Sequence, residues 1–274
     1  MIAFLNGKFL PEAEAVVPVS DRGFLLGDGL FETFRVAGGR LFRFAQHMER
    51  LAQGAAFLRT KLPFTPAELQ PMAAQLIEKN QMPESLLRLT LTRGSGARGY
   101  SIQGADRPTL AMTLHPLPPA PAGWKLVTAS CRIPAGDKLA AFKSTSKQAN
   151  VLARAEAEEQ GADEALLLNT NGEVAETASG NLFWIDQGKI CTVSLDGGLL
   201  PGIARAVVLE ICQDLGLPTG QSFIKPEQLR QVEGMFVTQS ALGIIPVTAL
   251  DGVPVASSPL VGRLAKAYDK MLRR

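Results

Sequence analysis

The chain has 274 residues, 46% of them hydrophobic and 20% charged, which suits one large or two smaller domains with a real core. Its 28 basic and 26 acidic residues leave a formal charge of +2 with no run of like charge, which argues against nucleic acid or an anionic membrane as the main partner. Cys131, Cys191 and Cys212 lie far apart, and His47 and His115 sit in no CxxC or HExxH pattern, so a disulfide framework and a metal site are not expected and a reducing cytoplasm is. No apolar stretch is long enough to span a bilayer, and the opening residues lack the basic flank of a signal peptide.

Residues 2–10 read as a hairpin turning on Asn6-Gly7. A Gly/Asp-rich loop follows, then an alternating strand over 30–36 and, past Gly38-Gly39, a partner strand over 41–44. Phe44, Met48, Leu51, Ala55 and Leu58 form one helical stripe, with His47 and Arg50 on its flank. Arg50, an ordinary helix-face arginine when seen alone, is a candidate anion-binding guanidinium. Thr65 and Pro66 open a second helix that runs to Lys79. Residues 85–92 are strand-forming.

The loop after that strand, RGSGARGYS, contains a G-x-G-x-x-G at Gly94, Gly96 and Gly99. A dinucleotide site needs a helix directly after such glycines, and here another strand, 109–114, follows instead. The loop reads better as a mobile glycine loop carrying Arg93, Arg98 and Tyr100 over a pocket, with the Arg98 fork suited to a carboxylate. Residues 116–123 are the proline-rich joint of the chain and its expected domain boundary.

After a strand over 124–130 comes Lys143, at the end of the apolar run LAAF, where desolvation suits an amine to act as nucleophile or base. Ser144, Thr145 and Ser146 read as N-cap residues of a helix whose Val151, Leu152 and Ala155 form its apolar face and which stops at Gly161. A buried strand over 165–168, an Asn171-Gly172 turn and a return strand deliver Glu176 into the polar loop TASGN. LLPGIAR then opens a helix at Ile203, whose free backbone N–H groups make a ready phosphate cradle. The turn TQSA offers hydroxyls at Thr238 and Ser240. A C-terminal amphipathic helix closes the chain.

Taken in order, DRGFLLGDGLFETFRV, FRFAQHMERL, RLTLTRGSGARGY, FKSTSKQANVLARAEA, ADEALLLNTNGEVAETASGNLFW, LLPGIAR and VTQSALGIIPV resemble the fold-type IV pyridoxal-phosphate enzymes, the class IV aminotransferases and their relative aminodeoxychorismate lyase. The resemblance covers nearly the whole chain. It implies a two-domain α/β (α+β) architecture: a smaller N-terminal α/β domain over 1–115 and a larger C-terminal domain over 124–274 with a β-barrel-like core and the cofactor in the cleft. It implies pyridoxal 5'-phosphate as cofactor, Lys143 as the lysine that holds it as a Schiff base, Glu176 beside the pyridine nitrogen and Arg50 on the phosphate. Ile203 and Ala204 match its backbone amide donors, Ser240 its hydroxyl turn, and Asn181 a position near the ring. Lys147 and Lys138 rank behind Lys143 because only Lys143 matches the motif. Phe31, Arg98 and Tyr100 fall at substrate-binding positions.

RGSGARGYS and ADEALLLN…NLFW look most like the lyase, which releases 4-aminobenzoate and pyruvate for folate biosynthesis. Phe31 and Tyr100 replace the tyrosine and histidine usual in D-amino-acid transaminases, although Arg98 matches that group. Gln148 replaces a tyrosine usual in branched-chain transaminases. The resemblance also implies a cytoplasmic homodimer acting on a small-molecule amine. A cofactor-free binding protein on the same fold is the alternative of a different class.

Overall fold

Alternating hydrophobicity in the first part of the chain builds an antiparallel sheet. The computed structural model describes residues 1–273 and divides into two compact units. The first comprises Met1–Pro118 together with Phe142–Ser146, and the second comprises Pro119–Ala141 and Lys147–Arg274.

In chain order the first unit holds β1 (Ile2–Leu5), β2 (Lys8–Pro11), α1 (Arg22–Leu26), β3 (Gly29–Ala37), β4 (Arg40–Leu41), α2 (Phe44–Phe57), α3 (Pro66–Asn80), β5 (Ser85–Thr92) and β6 (Thr109–His115). The sheet order is β2-β1-β6-β5-β3-β4, and every pair is antiparallel. Alternation sends Leu30, Phe34 and Val36 of β3 and Leu87, Leu89 and Leu91 of β5 to one face. There they pack with Met48 and Leu51 of α2 and Leu69 and Leu76 of α3. Each such side chain contributes about 1.5–3 kcal/mol by leaving water. The α3 start is a capping box, with Thr65 accepting from the Glu68 N–H and the Glu68 carboxylate accepting from the Thr65 N–H.

Helix α1 has no counterpart in the sequence reading, because a five-residue helix shows no period. Its ends explain it. The Asp21 carboxylate accepts from the Gly23 N–H at 2.7 Å, and Gly27 ends it in the left-handed region at φ 66°.

The second unit holds β7 (Trp124–Ile133), α4 (Gln148–Glu159), β8 (Glu164–Asn169), β9 (Val174–Thr177), β10 (Asn181–Asp186), β11 (Lys189–Val193), α5 (Ile203–Asp214), β12 (Thr219–Ser222), α6 (Pro226–Leu229), β13 (Gly234–Gln239), β14 (Gly243–Leu250), β15 (Val253–Pro254) and α7 (Pro259–Leu272). Its sheet runs β12-β11-β10-β13-β14-β7-β8-β9, with β15 beside β14. The β11–β12, β14–β7 and β7–β8 pairs are parallel. The sheet curls so that β9 returns against β10 and β11, giving a half-barrel. Every residue of β8 is buried, which is why it reads as a continuous apolar run rather than an alternating one.

Helix α4 turns a different face inward from the one expected. Val151 and Leu152 are 59% and 55% exposed, while Ala153 and Ala157 are buried against Val127, Ala129, Ala165 and Leu167. Alanines let the helix sit close on β7 and β8, and the larger side chains are turned out. Ser144, Thr145 and Ser146 do not cap it either. Its N-cap is Lys147, with no side-chain cap. Among the described residues no helix is long and apolar enough to cross a membrane.

Candidate active site

In the first unit the site is built on the N-terminal half of β3. The two-residue β4 pairs only with Val36 and Ala37, so the rest of that edge is open to another strand. Residues 142–146 fill it. The Phe31 N–H donates to the Lys143 carbonyl and the Thr145 N–H to the Gly29 carbonyl, both at 2.9 Å, and Leu30 bridges Ser144. The hydroxyls of Thr145 and Ser146 donate to the Gly27 carbonyl at 2.8 and 3.1 Å. This tertiary tie, not helix capping, is what the Thr145 and Ser146 hydroxyls serve, while Ser144 joins through its backbone. A Cβ on Gly27 would lie 2.6 Å from the Ser146 hydroxyl, so both backbone conformation and space select glycine there.

Lys143 is thereby pinned at its backbone, and its Nζ lies 4.5 Å from the centre of the Phe31 ring. Stacked on the same ring is Arg88 of β5, its Cζ 4.0 Å from the centre. Burial lowers the Arg88 guanidinium below its ordinary value. Its Nε donates to the Thr90 hydroxyl at 3.3 Å, and no carboxylate among the described residues pairs with it. Sequence reading passed over Arg88 because its place in an alternating strand looks like ordinary solvated-face chemistry.

On the opposite face of β3, Glu32 is 1% exposed and meets α2. Its Oε1 accepts from Arg50 Nε at 2.8 Å and its Oε2 from Arg50 NH2 at 2.6 Å, and His47 Nδ1 lies 2.6 Å from the same Oε2. Burial alone would raise the Glu32 carboxyl, but the hydrogen bonds and charges of His47 and Arg50 override it and hold it below the usual range. Burial pushes the His47 imidazole below its ordinary value against the pull of Glu32, and the charges of Arg50 and Lys143 add to that depression. A neutral His47 donating from Nδ1 to the carboxylate fits both directions. The arginine singled out from sequence is thus a buried, oriented guanidinium with a carboxylate behind it. The carboxylate was missed because a glutamate in a strand carries no signal of burial.

Arg98 and Tyr100, also singled out, lie in the loop joining β5 to β6, and both side chains are exposed.

In the second unit Glu176 of β9 and Asn181 of β10 grip one stretch of chain. Glu176 Oε2 accepts from the Leu200 N–H at 3.1 Å, and the Asn181 amide donates to the Leu200 carbonyl at 2.9 Å. Leu200 is therefore held at both its backbone polar groups, two residues before the N-cap of α5. That N-cap is Gly202, and no side chain caps that end. A Cβ there would meet Asn181 Oδ1 at 2.1 Å. Ile203 and Ala204 are the first two residues of α5, so their N–H groups belong to its unpaired first turn. Thr238, paired across strands with Asn181, has a buried hydroxyl without a partner. Ser240 follows in the turn between β13 and β14.

The donors of each unit suit an aromatic cofactor bearing a phosphate. The uncapped helix start and orphaned hydroxyl of the second unit and the oriented arginine of the first are each of the kind that takes a phosphate dianion. An oriented carboxylate such as Glu176 matches a protonated ring nitrogen. Pyridoxal phosphate has both features, and the donor types fit it.

Comparison with known proteins agrees. The sequence pattern of the family described as "Amino-transferase class IV" matches residues 29–250. The chain is 32% identical over 276 residues to a putative branched-chain-amino-acid aminotransferase of Methanocaldococcus jannaschii, covering 100% of this chain and 96% of that one. It is 31% identical to D-alanine aminotransferase of Bacillus licheniformis, covering 94% and 91%. It is 30% identical to aminodeoxychorismate lyase of Bacillus subtilis, covering 93% and 88%. The T.th. branched-chain amino acid aminotransferase, solved in complex with N-(5'-phosphopyridoxyl)-L-glutamate, superposes with a TM-score of 0.93 at 28% identity, covering 100% of this chain and 95% of that one. The fold and the match across the chain define an enzyme of the mixed α/β, two-sheet type seen in that structure. The chain belongs to the class IV aminotransferase family.

Proposed function

We propose that the protein is a pyridoxal-phosphate-dependent lyase that converts 4-amino-4-deoxychorismate to 4-aminobenzoate and pyruvate. The observation that carries this is Arg88, a half-buried guanidinium without a carboxylate partner among the described residues, stacked on the same Phe31 ring as Lys143. An anion site beside the reactive amine selects an amine substrate that carries a carboxylate away from its reacting carbon. The loop RGSGARGYS and the segment ADEALLLN…NLFW, most like the lyase, support that substrate over an aliphatic one.

In this reading Lys143 is the point of cofactor attachment. Arg50 of the first unit, and the N–H groups of Ile203 and Ala204 with the Ser240 hydroxyl of the second, would each offer donors to the phosphate. Glu176 would hold the proton on the ring nitrogen, and Asn181 keeps the segment before α5 in place. When bound, the cofactor supplies an electron sink for the carbon that carries the substrate amine. The Lys143 amine would take the proton from that carbon. The ring–oxygen bond then breaks with its electron pair on the leaving enolpyruvate. The ring becomes aromatic, and a proton from Lys143 or water converts the enol to pyruvate. Arg98 and Tyr100 orient a substrate carboxylate, with Phe31 beside it.

The Methanocaldococcus and Bacillus licheniformis relatives favour a second reading, transamination of branched-chain or D-amino acids. The test is to incubate the holoenzyme with 4-amino-4-deoxychorismate and follow 4-aminobenzoate, beside D-alanine or a branched-chain amino acid with 2-oxoglutarate. Formation of 4-aminobenzoate is expected. Its absence, with amino transfer to 2-oxoglutarate instead, reassigns the enzyme. A colourless protein that binds no pyridoxal phosphate would leave only a binding protein on this fold. Residues 1–115 and 124–274 serve as the two domains, joined at 116–123. A cytoplasmic homodimer completes the reading, supported by the exposed row Phe24, Leu25 and Leu26 on α1. Light scattering in solution tests the dimer, and a monomer would refute it.

A further inference from the structure

One buried side chain holds the glycine loop between β5 and β6. Arg22, the first residue of α1, is 4% exposed. Its Nε donates to Asp28 Oδ2 at 2.9 Å, its NH1 to the Gly99 carbonyl at 2.9 Å and its NH2 to the Tyr100 carbonyl at 3.4 Å. Its own N–H donates to the Gly94 carbonyl at 2.9 Å. One residue therefore ties both the start and the crest of the loop.

The carboxylate behind it is fixed in turn. Arg93 grips both Asp28 oxygens, at 2.7 and 2.9 Å, and donates to the carbonyls of Leu58 and Arg59. The neighbouring Asp21, fully buried, accepts from the hydroxyls of Thr92 and Thr109 at 2.8 Å each, drawing together the strand ends that flank the loop. Against this anchored backbone, the loop side chains face outward, Tyr100 being 88% exposed. The backbone of the crest is fixed while Arg98 and Tyr100 project from it.

We propose that Arg22 is a positioning residue. By holding the Gly99 and Tyr100 carbonyls, it presets the backbone from which Arg98 and Tyr100 meet the substrate carboxylate. This rests on the reading of Arg98 and Tyr100 as substrate contacts and adds the group that fixes them. Arginine is required because one planar fork reaches Asp28 and two carbonyls at once, which a single ammonium does not.

The test uses the holoenzyme as wild type, Arg22→Gln, Arg98→Ala and the double variant, with Arg22→Lys as a milder change. Hydrogen exchange of the Gln103 and Ala105 amides, which donate to the Ser101 hydroxyl and the Ile102 carbonyl within the loop, reads the loop directly. In Arg22→Gln these amides exchange at least about tenfold faster, and KM for the amine substrate rises about tenfold with kcat nearly unchanged, the effect of losing charge-assisted hydrogen bonds to the loop. In the Arg98→Ala background the KM effect of Arg22→Gln disappears, because both act through one contact. Arg22→Lys falls between the two and carries the same comparison if the glutamine variant does not accumulate as folded protein. Unchanged loop exchange in the Arg22 variants overturns the proposal. So do KM effects of Arg22→Gln and Arg98→Ala that simply multiply, which is the mark of a merely structural role. If Arg98→Ala alone leaves KM unchanged, the reading of the loop as a substrate contact falls, a failure distinct from any result of the exchange measurement.

Discussion

Replacing Glu32 by glutamine tests whether the α2 arginine depends on the carboxylate behind it. The shape is kept and the charge removed. Glu32 is 1% exposed and accepts from two nitrogens of Arg50, at 2.8 and 2.6 Å, with His47 Nδ1 at 2.6 Å. A glutamine offers one acceptor oxygen and turns an NH2 toward a group that is itself a donor. Removing one partner of a buried ion pair costs about 3–5 kcal/mol, because the remaining charge loses its compensation. For a chain of this size that corresponds to a fall of roughly 6–20 °C in melting midpoint. The assay is thermal melting of the cofactor-free protein with and without inorganic phosphate. Phosphate supplies the missing negative charge to Arg50, so the variant gains more from it than the wild type does. A loss below about 1 kcal/mol, against the roughly 3 kcal/mol expected for a buried pair, would refute the pairing as the source of Arg50's orientation. Equal phosphate stabilisation of both proteins would refute Arg50 as an anion site.

Gly202→Ala puts a methyl group 2.1 Å from Asn181 Oδ1. Overpacking of this kind costs about 1–3 kcal/mol, and pyridoxal phosphate titration is expected to show at least about tenfold weaker binding, since the start of α5 must shift; unchanged affinity would count against the α5 cradle. Arg88→Leu removes the half-buried cation on Phe31; KM for a substrate with a second carboxylate should rise about ten- to a hundredfold, the worth of one hydrogen bond to a charged group, while a neutral-side-chain amine is unaffected, and equal loss for both would remove Arg88 from substrate recognition. The folded-state pKa values of His47 and Glu32 are both depressed. The stability they contribute is therefore present above their unfolded values and is lost as pH falls, first below about 6.5 as the unfolded imidazole protonates and then below about 4.5 as the unfolded carboxyl does. Urea midpoints across this range should show both phases in the wild type, and His47→Gln should abolish the first; a midpoint flat from about pH 7 to about pH 5, within the range of an ordinary histidine, would contradict a neutral buried His47.

Much of the framework is legible in the chain. The alternation of GLFETFRVA and SLLRLTLT gives paired strands with one buried face, and T-P-x-E gives a capped helix start, since both signals are local. The apolar run 165–168 reads as a buried strand, and the structure buries all of it within β8. What escapes the sequence depends on partners distant along the chain. Ser144, Thr145 and Ser146 look like caps, and only the approach of Gly27 makes the last two tertiary ties. Val151 and Leu152 look like a core face because they are large, but close helix-to-sheet packing favours Ala153 and Ala157. Glu32, Asp28, Arg22 and Arg88 look solvated by residue type, and each takes its role from groups 6 to 78 positions away or from an aromatic ring beneath it. Lys143, Arg50 and Glu176 stand out as candidates only through ordered resemblance along the whole chain, because no single spacing marks them.

Lys143 carries the chemistry in this mechanism, and borohydride reduction of the holoenzyme followed by peptide mapping tests it most directly. The expected result is one pyridoxyl group per chain, on Lys143, and loss of both label and activity in Lys143→Ala. A label on Lys138 or Lys147, or no trapped label at all, would contradict it.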